Sequence, residues 1–308
     1  MKIKIFLCVN MLMLSLNACA IAPTAYLSVN IVDEMHKPVE GVTIKGGFTT
    51  QKLSYIPGPD TQGVTDSEGR VNISGPAYFN VWVTAKKDGY YLSEKNIAVN
   101  QKKDQEIYLV IRRKHHPIAM YAKKITLKFP ERMREFGVDL FKGDFVLAGH
   151  AGVHGDVEFK FYKSHLEQNN STQVMSIRFP NPDDGILKMH LHEEWKFSKF
   201  KSDYYAPATG YVNSIEITDK NIISNNKYIG HTPFYMRIRA SKNEKGKINK
   251  AYYCKIWPGI ELLGARLKKP LLKMTYYCNP TLNDKNMEFD PEHNLFRHLN
   301  YKEYVSEP

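Results

Sequence analysis

Asn80-Val81-Trp82-Val83-Thr84-Ala85-Lys86-Lys87-Asp88-Gly89-Tyr90 is the stretch on which the fold turns. Phe79, Val81, Val83 and Ala85 recur at every second position with Trp82 between them, so one face of an extended strand is apolar and the other carries an indole. Asp88-Gly89 closes it with a turn signal. Upstream, Tyr26 to Val32 alternates in the same way around Ser28 and Asn30, and the turn Asp33-Glu34-Met35-His36-Lys37-Pro38 leads into Val42 and Ile44. These two runs are expected to pair as a hairpin. Gly63 to Thr65, the turn Asp66-Ser67-Glu68-Gly69 and Arg70 to Ile73 are expected to form a second hairpin, with Gly69 supplying the positive φ that a tight turn requires. Downstream, Ile107, Leu109 and Ile111 alternate once more. Short apolar runs separated by turns about every ten residues are the rhythm of a β-sandwich.

The marks Pro38-Val39-Glu40-Gly41-Val42, Thr65-Asp66-Ser67-Glu68-Gly69-Arg70 and the strand Val81 to Ala85 running into Asp88-Gly89-Tyr90 occur in this order. In them the stretch resembles the carboxypeptidase regulatory-like family, a transthyretin-like sandwich, interrupted here by a Pro- and Gly-rich insertion over Thr49 to Gln62. The resemblance covers less than a third of the chain. It implies a scaffold or interaction module of the seven-stranded antiparallel type over residues 26–113, and it brings no catalytic residues.

The whole chain has 308 residues, 43% of them hydrophobic and 24% charged, with a mean hydropathy of -0.43. Disordered, collagen-like, coiled-coil and multi-spanning classes are excluded by that balance, and at roughly 150 residues per domain two domains are expected. Arg112 to Pro117 is charged and ends in proline, which suits a solvated linker. Residues 118–308 then form a second, mainly β domain with long loops. Its strands are expected over Ile125 to Phe129, Val157 to Tyr162, Val174 to Phe179, Tyr211 to Ile217, Phe234 to Ile238 and Leu271 to Tyr277. Glu131 to Phe136 reads as one helical turn, and Gly259 to Lys269 fits neither helix nor strand cleanly. In Gly143-Asp144-Phe145-Val146, Phe179-Pro180-Asn181, Ala206-Pro207 and Asn279-Pro280 this region is similar to uncharacterised bacterial secreted proteins, a resemblance that implies no activity.

The N-terminus carries Lys2 and Lys4, then an apolar run from Ile5 to Leu16 that is too short to span a bilayer. This is the pattern of a secretory signal. Leu16-Asn17-Ala18-Cys19 resembles the lipobox of bacterial lipoproteins. That resemblance implies removal of residues 1–18, lipidation of Cys19, a tether over 19–25 and, because Ala20 and not Asp follows the cysteine, anchoring at the outer membrane, facing the periplasm or the cell surface. Loss of Lys2 and Lys4 takes the formal charge from +11 to +9 (41 basic minus 32 acidic). Apart from the membrane itself, the expected partners are an anionic envelope component or an envelope protein. Nucleic acid is not expected. Of the four cysteines, Cys8 leaves with the signal and Cys19 takes lipid, so Cys254 and Cys278 remain as a pair in an oxidising compartment. Both follow Tyr-Tyr at the end of a strand and are expected to bridge if those strands are neighbours.

Catalytic signatures are thin. No Gly-x-Ser-x-Gly elbow, P-loop or dinucleotide fingerprint occurs, and Lys196 stands where a His-Glu-x-x-His pattern beginning at His192 would need its second ligand. The sharpest constellation is His190, His192 and Glu193, with His150, His154 and Asp156 upstream. A strand over 190–192 would put both histidines on one face, as a zinc ion needs. Asp284, Asn286, Glu288 and Asp290 read as a polar strand face. Two functions follow: a non-enzymatic binding or scaffold protein without a cofactor, using loops of the second domain such as 143–156 and 180–210, and, as the alternative, a metal-dependent envelope hydrolase built on those six residues.

Overall fold

The computed structural model describes residues 22–48, 61–99, 104–129, 134–167, 170–218, 227–229, 232–263 and 270–308. The signal, Cys19 and most of the Thr49 to Gln62 insertion lie outside them. The first seven strands are β1 (Thr24–Val32), β2 (Thr43–Phe48), β3 (Thr61–Val64), β4 (Arg70–Pro76), β5 (Asn80–Lys86), β6 (Ser93–Ala98) and β7 (Gln105–Val110). They make two sheets, ordered β4-β1-β7 and β3-β2-β5-β6. All pairs are antiparallel except β1 with β7, which run parallel. Leu27, Val29 and Ile31 from one sheet meet Ile44, Val81, Val83 and Ala85 from the other in one buried cluster, so the period-two pattern produces the sandwich directly. On β5 the outward Trp82 is half exposed, and Phe79, just before the strand, is also half exposed rather than part of the buried face.

Neither expected hairpin forms. β1 pairs with β4 and β7, whereas β2 pairs with β3 and β5 in the opposite layer. The turn at Asp66 is real, closed by the Gly69 N–H donating to the Asp66 carbonyl and the Asp66 N–H to that of Arg70. Gly69 has φ +71°, and a Cβ there would meet the Ile31 carbonyl oxygen at 2.4 Å. Yet β3 and β4 on either side of this turn belong to different sheets. Alternation says which face of a strand is buried; it does not say whether the next strand lies beside it or across the core.

The rest of the chain builds a second sandwich from β8 (Tyr121–Lys128), β9 (Glu135–Asp139), β10 (Asp144–Phe145), β11 (Val157–Glu167), β12 (Asn170–Arg178), β13 (Gly185–Lys188), β14 (Ser214–Thr218), β15 (Lys227–Ile229), β16 (Phe234–Lys242), β17 (Ile248–Leu263) and β18 (Leu271–Cys278). One sheet has the order β10-β9-β11-β12-β14 and the other β13-β16-β17-β18-β8, with β15 pairing on β17. Phe136, Phe159 and Ile177 of the first face Met236, Ile256 and Leu272 of the second in a common core. The protein is therefore mainly β, two sandwiches in series.

Two expectations for this half are corrected. Glu135 and Phe136 begin β9 rather than ending a helical turn, because Phe136 and Val138 are buried at a spacing of two; residues 131–133 lie outside the described part. Residues 259–263 complete β17, and 264–269 lie outside the described part. Cys254 and Cys278 are register partners on β17 and β18 and are joined by a disulfide with Sγ–Sγ 2.07 Å.

Candidate functional site

The stretch expected to be a solvated linker opens with the most thoroughly enclosed cation at the junction. The Arg112 side chain, just beyond β7, is fully buried. Its Nε donates to Glu34 Oε1 at 2.8 Å, and its Nη1 donates to the carbonyls of Phe200 at 3.0 Å and Ser202 at 2.6 Å. The guanidinium carbon lies 3.8, 4.6 and 4.4 Å from the ring centroids of Trp195, Phe200 and Tyr204. A planar cation over aromatic faces keeps electrostatic stabilisation that burial would otherwise remove. Only Arg113 to His116 are exposed, and even there the His115 and His116 N–H groups donate to the Glu288 carboxylate at 2.9 and 2.7 Å.

Glu288 is itself buried and accepts the Tyr91 hydroxyl at 2.8 Å, while Asn286 Nδ2 donates to the His116 carbonyl at 2.7 Å. Within 284–290, then, Asn286 and Glu288 form a buried polar rail binding the two sandwiches while Asp284 and Asp290 stay partly exposed, and the segment makes isolated bridges rather than the expected polar strand. Beside it Lys255 of β17 points inward, donating to Ser202 Oγ at 3.2 Å and to the Met287 carbonyl at 2.8 Å, between the rings of Phe200 and Tyr277. Most polar groups here have structural partners and are closed to solvent, which suits a rigid joint; among the described residues the exception is Arg112 Nη2, which is buried without a hydrogen bond.

Burial, helped by the positive charge of Arg112 and opposed by Glu288, pushes Lys255 down from its ordinary value of 10.5 to about 7. Between those values the unfolded chain binds more protons than the folded one, so this lysine makes stability rise as pH rises through that window. Lys255→Met is expected to flatten the pH dependence of the urea midpoint between pH 7 and 10 relative to the native chain. An unchanged slope would show that Lys255 does not titrate differently on folding.

A second network holds the glycine-rich loop 143–156. Arg239, at the end of the apolar run of β16, donates from Nε to Asp156 Oδ1 at 2.7 Å and from Nη2 to Asp139 Oδ1 at 3.1 Å. Asp139 Oδ2 accepts the N–H groups of Val153 and His154, each at 3.0 Å, and Asp156 Oδ2 accepts that of Leu140 at 2.8 Å. Burial raises the Asp139 carboxyl, but the His154 and Val153 N–H groups and Arg239 outweigh it and hold it below its ordinary range. Arg239 adopts φ +52°, with its N–H and that of Ala240 held by Asp184 at 2.9 and 2.7 Å. The feet of the loop are thus clamped, and its tip, Gly149 to Ala151 and Val153 to Gly155, is exposed.

The six residues of the metal reading fall on two segments, His150, His154 and Asp156 on the loop 143–156 and His190, His192 and Glu193 after β13, where several of them are held by other partners. Residues 190–192 are not a strand; they follow β13 and lead into a 3₁₀ turn, Glu193–Trp195. The His190 and His192 rings meet edge to face at 4.8 Å, and His192 stacks on Trp195 at 3.7 Å with its Nε2 3.3 Å from Asp203. The Glu193 side chain is 85% exposed and pairs with Lys196. His150 Nδ1 is hydrogen-bonded to Asp144 at 2.8 Å, His154 is exposed, and Asp156 is committed to Arg239. Among the described residues no group of three or more His, Cys, Asp or Glu is arranged to hold a metal. Arg112, Arg239, Lys255 and Glu288 were not singled out from the sequence as functional. The signal that could have found two of them is a charge directly adjoining an apolar strand run, as in Tyr252-Tyr253-Cys254-Lys255-Ile256 and Met236-Arg237-Ile238-Arg239.

No protein-family model matches the chain, and no curated protein matches it. Solved structures similar to part of it include a DUF3823 family protein from Parabacteroides merdae, at 10% identity over 75% of this chain and 96% of that one with a TM-score of 0.22. A protein from Bacteroides uniformis described as a candidate carbohydrate-binding protein has 12% identity over 75% and 90% of the two chains, with a TM-score of 0.20. The shaft pilin SpaA of Lactobacillus rhamnosus GG has 11% identity over 73% and 89%, with a TM-score of 0.23. Similarities this distant carry no argument about what the chain does.

Proposed function

We propose that this chain is a lipid-anchored cell-envelope protein that works by binding and not by catalysis. Cys19 tethers it to the outer membrane, the first sandwich serves as the stem, and loops of the second sandwich meet the partner. The observation that carries this reading is the loop 143–156, whose feet are fixed by Arg239, Asp139 and Asp156 while its tip is open to solvent. A displayed loop on a rigid β-scaffold loses little conformational freedom when it binds. The joint around Arg112 supports the reading as well, because it lets the stem set the position of that loop. With a mature charge of +9, an anionic envelope polymer or an acidic envelope protein is the favoured partner.

The test is photo-cross-linking in cells producing the full chain, with the photoreactive residue in place of Ala151 or Val153. A discrete envelope adduct at these positions, absent when the probe replaces the exposed Lys245, is the expected result. Equal labelling at all three positions, or none, would remove the loop from the function. Stoichiometric metal in the purified protein, lost on His190→Ala with His192→Ala, would transfer the assignment to the hydrolase alternative.

A further inference from the structure

Pro23, four residues beyond Cys19, marks the end of the first sandwich where the tether enters. The Ala77 N–H donates to the Pro23 carbonyl at 2.9 Å, Thr24 lies opposite Pro76, and the Val99 N–H donates to the Phe79 carbonyl at 2.6 Å. These contacts place Phe79 at the tether end. Its side chain is 52% exposed and lies 6.3 Å, centroid to centroid, from the Tyr78 ring; Tyr26, two residues up β1, is 56% exposed. Trp82 on β5 and Tyr108 on β7 are each 49% exposed as well; what sets Phe79 and Tyr26 apart is their place beside the tether, and aromatic rings are favoured at the headgroup level of a bilayer.

The tether is short. Four residues reach at most about 14 Å even when fully extended, and the interfacial layer on each side of the hydrocarbon core is itself about 5–8 Å thick. A chain lipidated at Cys19 therefore cannot carry Pro23 more than about 6–9 Å beyond that layer, which keeps the tether end of the sandwich within reach of the headgroups. β1 and β7 are parallel and both run away from this end. The nine residues of β1 cover about 27 Å, and the far end meets the joint, where the Ile111 N–H donates to the Val32 carbonyl.

We infer that the tether end of the first sandwich is a membrane-contact surface: Phe79 and Tyr26 sit in the lipid headgroup layer, and the sandwich stands on the bilayer with β1 rising from it. The inference rests on the lipid anchor proposed above and adds an orientation that the anchor alone does not impose. Two contacts, acyl chains and an aromatic foot, restrict a single-point tether from swivelling and hold the second sandwich at a set height above the lipid.

The experiment uses the full lipidated chain in phosphatidylethanolamine and phosphatidylglycerol vesicles bearing a nitroxide at the headgroup. A fluorophore is attached to Phe79→Cys or, as the control, to Asp88→Cys, an exposed position beyond the other end of β5. Cys254 and Cys278 are buried in their disulfide and leave the new thiol as the labelling site. Loss of fluorescence at position 79 with retention at 88 is the expected result. A lipidated, vesicle-bound chain in which neither position is quenched overturns the inference and leaves the anchor intact; quenching at both overturns it in favour of a sandwich lying flat. Mass spectrometry that finds no acyl chains on the mature N-terminus overturns the anchor and this inference together.

Discussion

Arg112→Ala is expected to cost about 3–5 kcal/mol of stability, the range for removing one partner of a buried ion pair. The truncation takes away the guanidinium that satisfies the carbonyls of Phe200 and Ser202 and removes the cation beside the Glu34 carboxylate, which is only 19% exposed and keeps the Tyr204 hydroxyl and the Arg113 N–H as donors. It also leaves a void walled by Trp195, Phe200 and Tyr204. Because this side chain ties residues before β2 to residues after β13, calorimetry is expected to show more than lower stability. The melting profile should separate into two transitions as the sandwiches lose their coupling. Arg112→Lys keeps the charge but not the fork that reaches three acceptors, and it should rescue little. A single cooperative transition at the native temperature for Arg112→Ala would show that the joint is held elsewhere, with the rail around Glu288 the next place to look.

Replacing both Cys254 and Cys278 with alanine is expected to cost about 3 kcal/mol, the chain-entropy value for a closed loop of this length. The separation is 24 residues. The bridge staples β17 to β18 in the sheet that supplies half of the second core. Urea unfolding of the double variant against the native chain measures the difference. Because both sulfurs are buried, a thiol reductant should leave the folded protein's midpoint unchanged over the time that reduces the unfolded chain. Equal midpoints for variant and native chain would mean that strand pairing alone holds this sheet.

Much of the fold was legible because its strands are amphipathic at period two. Val81, Val83 and Ala85 could be assigned to a core from spacing alone, as could Ile107 and Leu109. Partner choice was not legible: Leu27, Val29 and Ile31 look the same from the sequence whether β2 lies beside them or across the core. The candidate site fared differently. The loop 143–156 was recognisable as glycine-rich and exposed, but the arginine that clamps it comes from position 239, on β16, with five strands in between. His190 and His192 looked like ligands for want of knowing that His190 packs on the His192 ring and that Trp195 and Asp203 take up His192.

The sequence by itself determined what each residue could do locally: where strands form, which face of each is apolar and where the chain must turn. Those properties depend on neighbours within a few positions, through side-chain alternation and backbone sterics. Only the tertiary structure decided the fate of the charges. Arg112 lies in a stretch whose composition reads as a solvated linker and Glu288 in one that reads as a polar strand face, and both are buried because distant parts of the chain, Glu34 and Phe200 for one and Tyr91 for the other, supply partners. A buried charge is stable only in the company of groups that replace its water, and that company is assembled by folding.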